Sequence, residues 1–214
     1  MTRFSRFLLG GMCGVALCAP GLVAQDPDPF AKLDPNSRFA VEAIIDSAQV
    51  AGLPWRNLRS RALEAIAKKV DSRRIVAAVR TRFTTLKEAR AALGSVGDGE
   101  LGAAAAVIEV GVKPEQLTAL RNPPRGRSPL AALTVLGDLI TREVPRDEAI
   151  SAITKLWQEG RTDADFMGLF HGVESDILQG LNPGAALQNR IREFPGRAGI
   201  KPAPPAGEPE TLSP

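Results

Sequence analysis

Histidine, cysteine and tyrosine are scarce in this chain of 214 residues, which contains one histidine, two cysteines and no tyrosine. Both cysteines, Cys13 and Cys18, fall near the N-terminus, so His171 is the single strong metal ligand in the remainder. A structural zinc site takes about four nitrogen or sulfur ligands, and a disulfide takes two cysteines. The sequence therefore predicts no metal site and no cofactor.

Aromatic residues are also few, at 5% of the chain. Proteins that bind single-stranded nucleic acid stack bases on aromatic rings set among basic residues, and no such interleaving occurs here. The full chain has 27 basic and 24 acidic residues, a net charge of +3, whereas nucleic-acid-binding domains are usually more basic. We therefore expect no nucleic-acid partner.

The first 24 residues have the features of a secretory signal peptide. Arg3 and Arg6 form a short basic region, and residues 7–19 form an apolar run that is too short to span a bilayer. Small residues precede Gln25, which predicts cleavage after Ala24 and export to the periplasm or the extracellular space. Without the two arginines the mature chain has 25 basic and 24 acidic residues, a net charge of about +1.

A lipoprotein is the alternative interpretation of the N-terminus. Cleavage just before Cys18 would leave a cysteine that carries lipid and anchors the chain to a membrane. Leu17 precedes this cysteine, where such sites favour Gly, Ala or Ser, so we expect simple export. No second apolar run of about 18 residues follows, and no transmembrane helix is predicted.

Apolar residues spaced by three and four predict α-helices through most of the chain, as in residues 55–66. No stretch alternates apolar and polar residues as a half-buried strand does. Turns such as Gly52-Leu53-Pro54 predict the end of one helix followed at once by the start of the next. We predict an all-α domain at 35–194, with eight or nine short helices packed as helical hairpins, between a flexible lead-in at 25–34 and a disordered Pro-rich tail at 195–214.

A weak internal similarity relates two parts of this domain. After a shift of 74 residues, residues 70–79 align with residues 144–153, as expected for a degenerate two-fold repeat of helical hairpins. Any two amphipathic helices that share a turn type would also look this similar, so both interpretations stay open.

Two segments resemble a type of secreted bacterial α-helical protein whose function is uncharacterised. They are AGLP…ALEAIAKKV…RRIVAAVR, within Ala51–Arg80, and SPLAALTVLGDLI, at Ser128–Ile140. The resemblance covers about half of the helical domain and brings no catalytic residue with it. Residues 130–140 are also apolar on nearly every side, which predicts the most buried helix.

Basic residues are concentrated at positions 56–90, which hold eleven basic and three acidic residues, a net charge of +8. The rest of the mature chain has 14 basic and 21 acidic residues. Such a surface attracts an acidic protein, an anionic envelope polymer or an anionic lipid surface. The candidate binding residues are Arg73, Arg80, Lys87, Arg74, Lys68 and Lys69. The alternative is a solvated face, or one that pairs with the acidic half of the chain itself.

Glu174, followed by Ser175, supports a competing enzymatic hypothesis. Exported helical lytic transglycosylases cleave peptidoglycan with a single Glu followed by Ser, and the resemblance implies a catalytic acid at Glu174. Their Gly-Leu-Met-Gln-type motif is absent here. We therefore predict a non-enzymatic interaction protein of the cell envelope, with a peptidoglycan-active enzyme as the alternative. The enzyme needs Glu174 in a cleft, whereas a binding protein leaves it on a convex surface.

We expect the mature protein to begin near Gln25, because small residues precede this position after the apolar run. Intact-mass spectrometry of protein purified from a bacterial host should give the mass of residues 25–214. A lipid-modified chain that begins at Cys18 would contradict simple export, and an uncleaved chain would contradict the signal peptide.

Overall fold

The computed structural model of the protein describes residues 29–121 and 126–193. These residues form nine α-helices and no strand, and 76% of them are helical, which confirms the predicted all-α class. The helices are α1 (Pro35–Val50), α2 (Trp55–Ala67), α3 (Ser72–Leu93), α4 (Asp98–Glu109), α5 (Pro114–Leu117), α6 (Leu130–Thr141), α7 (Arg146–Gln158), α8 (Asp163–Leu178) and α9 (Pro183–Glu193). The predicted signal peptide and Pro-rich tail lie outside the described residues.

Helix α3, with 22 residues, organises the first half of the domain. It packs against α1, α2, α4 and α5. Helix α4 also packs against α6, which contacts α7 and α8, and α9 packs against α8 and α7.

In the described part of the chain, no single helix has both the length and the apolar composition to cross a membrane. Helices α3 and α4 meet these criteria only together, with a bend of 111° between them.

Helix α6 supplies much of the core of the second half, as its apolar sequence predicts. Leu133, Leu136 and Leu139 are at most 2% exposed, because they face α4, α7 and α8. Leu130, at the start of the helix, is 42% exposed. Burial of such side chains stabilises the fold by about 1.5–3 kcal/mol each.

Several turns between helices follow the glycine chemistry that the sequence predicts. After α1, Gly52 takes a φ of 62°, and the N–H of Leu53 donates to the carbonyl of Ala48 at 2.9 Å. After α4, Gly111 takes a φ of 94°, and the N–H of Val112 donates to the carbonyl of Val107 at 3.2 Å. These bonds satisfy carbonyl groups that a helix end leaves without partners.

Two turns achieve the same conformation without glycine. Lys69 and Glu143 have φ values of 56° and 63° and end α2 and α6 with the same hydrogen-bond pattern. These positions are 74 residues apart, which is the shift of the suspected repeat. The internal repeat is nevertheless not confirmed, because α3 has 22 residues where α7, its counterpart, has 13.

The segment predicted as a flexible lead-in contributes to the core in its described part, residues 29–34. Phe30 and Leu33 are 5% and 7% exposed, and the N–H of Leu33 donates to the carbonyl of Phe30 at 2.9 Å. Asp34 then caps α1, because its carboxylate accepts the N–H of Ser37 at 3.0 Å. The two large apolar side chains explain the difference from the expectation, since their burial favours an ordered segment.

We expect Leu136→Ala to lower the free energy of unfolding by ~2–5 kcal/mol, because it leaves a cavity in a buried helix face. Thr134→Ala, on the exposed face of α6, should leave stability unchanged or slightly raised, since alanine favours the helix. Urea denaturation followed by circular dichroism measures both variants. A loss below ~0.5 kcal/mol for Leu136→Ala would show that α6 is peripheral.

Candidate functional site

The six basic residues selected from the sequence are all exposed in the structure. Two of them, Lys68 and Lys69, lie between α2 and α3, and the other four lie on α3. Arg73, Arg80 and Lys87 follow one another every seven residues, about 10.5 Å apart along the helix axis. This outer face of α3 is opposite the buried side chains of Ile75, Val79, Leu86 and Ala89.

Arg82 departs from its basic neighbours, because it is only 8% exposed. Its Nη2 donates to the carbonyl of Gly102 on α4 at 2.8 Å, and its Nη1 lies 3.2 Å from Oε1 of Glu109. Gly102 also lies close to Asn57 of α2, since a Cβ at Gly102 would be 3.3 Å from the side-chain nitrogen of Asn57. Arg82 therefore joins α3 to α4 and does not belong to the outer face.

Glu109, at the end of α4, is the acidic residue outside positions 56–90 that pairs with this basic stretch. Besides Arg82, it contacts Arg61, whose Nη1 lies 3.2 Å from Oε2. Within the stretch, Lys68 pairs with Glu64 at 2.6 Å, and Nη2 of Arg90 donates to the carbonyl of Gly52 at 3.0 Å. Neutralisation by the acidic half of the chain thus reaches two of the eleven basic side chains among the described residues.

The cations on the outer face of α3 have no acidic partner in the part of the chain that the structure describes. Arg73, Arg74 and Arg80 form no ion pair with any described residue, and neither does Lys69 in the preceding turn. Lys87 lies over the ring of Phe83, with its Nζ 5.6 Å from the ring centroid. A cation–π contact of this kind leaves the ammonium charge available to another group.

Two shallow depressions border the outer face of α3. One, of about 360 Å³, lies between α1 and α3 and includes Arg73 and Asp34. Hydrogen bonds from Ser37 hold the pKa of the Asp34 carboxyl below its ordinary value. The other, of about 440 Å³, is lined by Ala77, Arg80, Thr81, Thr84, Thr85 and Glu88.

Across residues 29–121 and 126–193, no three His, Cys, Asp or Glu side chains are placed to hold a metal ion.

Glu174, the candidate catalytic acid, forms an ion pair on α8 with Arg142, the residue that ends α6. Asp138 lies in the same cluster. The pKa of its carboxyl is above its ordinary value, because burial and the charge of Glu174 raise it more than Arg142 lowers it. Glu174 lines neither of the two depressions above, nor three further surface cavities. The cluster therefore connects α6 to α8 at the surface.

His171, one turn earlier on α8, is exposed, with its ring 5.8 Å from that of Phe170.

No protein-family model, curated protein or solved structure matches this chain. The resemblance to secreted bacterial helical proteins therefore stays a prediction.

Arg82 is one of the eleven basic residues at positions 56–90, although its spacing separates it from the exposed ones. Arg82 is three residues after Val79 and four before Leu86, which places it on the buried stripe of α3. Arg90 and Arg121 also have structural roles, since each donates to a carbonyl at a helix end, that of Gly52 at 3.0 Å and that of Ala91 at 2.7 Å. No local pattern indicates these two contacts.

We expect Arg82→Ala to lower the free energy of unfolding by about 1–3 kcal/mol, because it removes a charge-assisted hydrogen bond to Gly102 and a partner of Glu109. Arg80→Ala, two residues earlier on the outer face, is the matched control and should change stability by less than ~0.5 kcal/mol. Equal losses in chemical denaturation would show that the two arginines do not differ in role.

Proposed function

We propose that this protein is a non-enzymatic, exported interaction protein of the cell envelope that binds an acidic partner or surface through the outer face of α3. The supporting observation is the line of exposed cations at Arg73, Arg80 and Lys87, which form no ion pair with any described residue. Ion pairs between described residues use Arg61, Arg82 and Lys68 of this basic stretch, and these pairs leave this line free.

The electrostatics of α3 support an anionic ligand. Asp71 is one of the three acids in the stretch, and its carboxylate accepts the backbone N–H groups of Arg73 and Arg74 at the start of α3. It therefore compensates the positive end of the helix dipole rather than the arginine side chains. A linear set of exposed cations accelerates the encounter with an anionic ligand and selects against cationic ones.

The geometry does not favour the enzymatic alternative. A general acid must carry a proton and contact its substrate before it transfers that proton. Glu174 forms an ion pair with Arg142 where α6 and α8 meet, and it lines none of the five depressions named above. A half-buried acid that links two helices is explained by packing alone.

We expect simultaneous replacement of Arg73, Arg80 and Lys87 by Glu to weaken binding to anionic material by ~tenfold or more. The replacement lowers the net charge of positions 56–90 from +8 to +2 without touching the buried face of α3. Binding of the wild type should also weaken between low salt and ~0.5 M salt, since ions screen exposed charges. The measurement is co-sedimentation with envelope fractions and anionic vesicles, at matched helicity.

The matched control replaces Lys113, Lys155 and Arg192 by Glu, which are exposed elsewhere and give the same change in net charge. This control variant should bind nearly as the wild type does. Equal weakening in both variants would attribute binding to net charge alone. Equal binding by the wild type and the α3 variant would contradict the proposed function.

A further inference from the structure

The exposed face of α3 carries a regular alternation of long basic and small residues. Its members are Arg73, Ala77, Arg80, Thr84, Lys87 and Ala91, all exposed, and we call this set the α3 seam. Successive members are four and three residues apart in turn. This mean spacing of about 3.5 residues is the one with which a helix contacts another helix along its length. The α3 seam extends for about 27 Å.

The small residues of the α3 seam leave space between the cations. Ala77 and Thr84 line the depression of about 440 Å³ beside Arg80. No large hydrophobic side chain of α3 is exposed, so this surface offers no apolar residue of its own for insertion into a bilayer. It offers holes instead, of the kind that receive side chains from a facing helix.

The neighbouring helix α1 distinguishes a narrow ligand from a flat one. Helices α1 and α3 lie side by side and run in the same direction, because Arg73 shares a groove with Asn36 and Arg90 bonds to Gly52. Asp34, which precedes α1, lines the same groove as Arg73, so an acid lies beside the first cation of the α3 seam. A flat bilayer would cover this acid together with the cations, whereas a ligand as narrow as a helix, laid along the α3 seam, would meet three cations and one acid, Glu88.

We infer that the α3 seam binds an acidic amphipathic helix of a partner protein. Carboxylates repeated every seven residues would face Arg73, Arg80 and Lys87, and apolar side chains between them would enter the spaces at Ala77 and Thr84. The inference rests on the proposed function, which requires an anionic partner but does not specify its shape.

The test uses two fluorescent peptides of about 21 residues, or three heptads, at low salt. The seam-matched peptide has Glu at every seventh position and Leu four residues after each Glu. The scrambled peptide has the same composition and helicity, but its Glu and Leu residues lie on different faces. By fluorescence anisotropy, the matched peptide should bind at least ~tenfold more tightly.

Protein variants separate shape from charge. Thr84→Trp fills the depression without a change of charge and should weaken binding of the matched peptide by ~tenfold, while binding of polyglutamate stays unchanged. Ala185→Trp, at an exposed position of α9, is the control for the added indole. Arg80→Glu should abolish binding of the matched peptide. The same variant should bind a peptide whose central Glu is replaced by Lys. Circular dichroism and thermal unfolding verify that each variant is folded.

The possible outcomes distinguish this inference from the proposed function. Equal binding of both peptides, or tighter binding of polyglutamate or anionic vesicles than of the matched peptide, would overturn the helix-docking inference and leave the anionic partner in place. An unaffected Thr84→Trp variant would do the same. No binding to any of these acidic probes at low salt would overturn both proposals.

Discussion

The contact of Arg82 with α4 acts together with the buried apolar stripe of α3 to set which side of α3 faces solvent. The guanidinium of Arg82 reaches the carbonyl of Gly102 and the carboxylate of Glu109 from inside the fold. A buried charge without its partner is costly, so rotation of α3 about its axis would carry a large penalty. The same contact that joins α3 to α4 therefore holds Arg80, two residues earlier, on the opposite face. Structure and candidate function depend on one helix orientation.

The short helices of this domain depend on their ends as much as on their faces. Isolated helices of this length are marginal in water, so tertiary packing and satisfied termini stabilise them. Gly52 turns the chain after α1, and Arg90 donates to the carbonyl of that same glycine. Arg121 supplies a similar bond to Ala91 near the end of α3. The arginine content of the chain is thus partly structural, and net charge alone overstates the charge available for binding.

The sequence predicted the parts of the fold that local chemistry governs. Gly52 and Gly111 marked helix ends because a left-handed residue is needed there, and the apolar run at 130–140 predicted a buried helix. The spacing of seven from Arg73 to Lys87 correctly predicted a shared exposed face. The partners of the charges were not predictable, because the pairs of Glu109 with Arg61 and Arg82 form only after α4 packs against α3.

The distribution of paired and unpaired cations turns a basic stretch into a line of charge. Arg61 and Arg82 pair with Glu109, and Lys68 pairs with Glu64. The three paired cations lie away from the outer face of α3. The cations that remain on α3 are on a helix held by four neighbours, so the spacing of their backbone positions is fixed. A ligand that matches this spacing loses entropy only in side chains, whereas a ligand without fixed spacing must also order its own backbone. Rigid, regularly spaced charge therefore favours a rigid anionic partner over a flexible one.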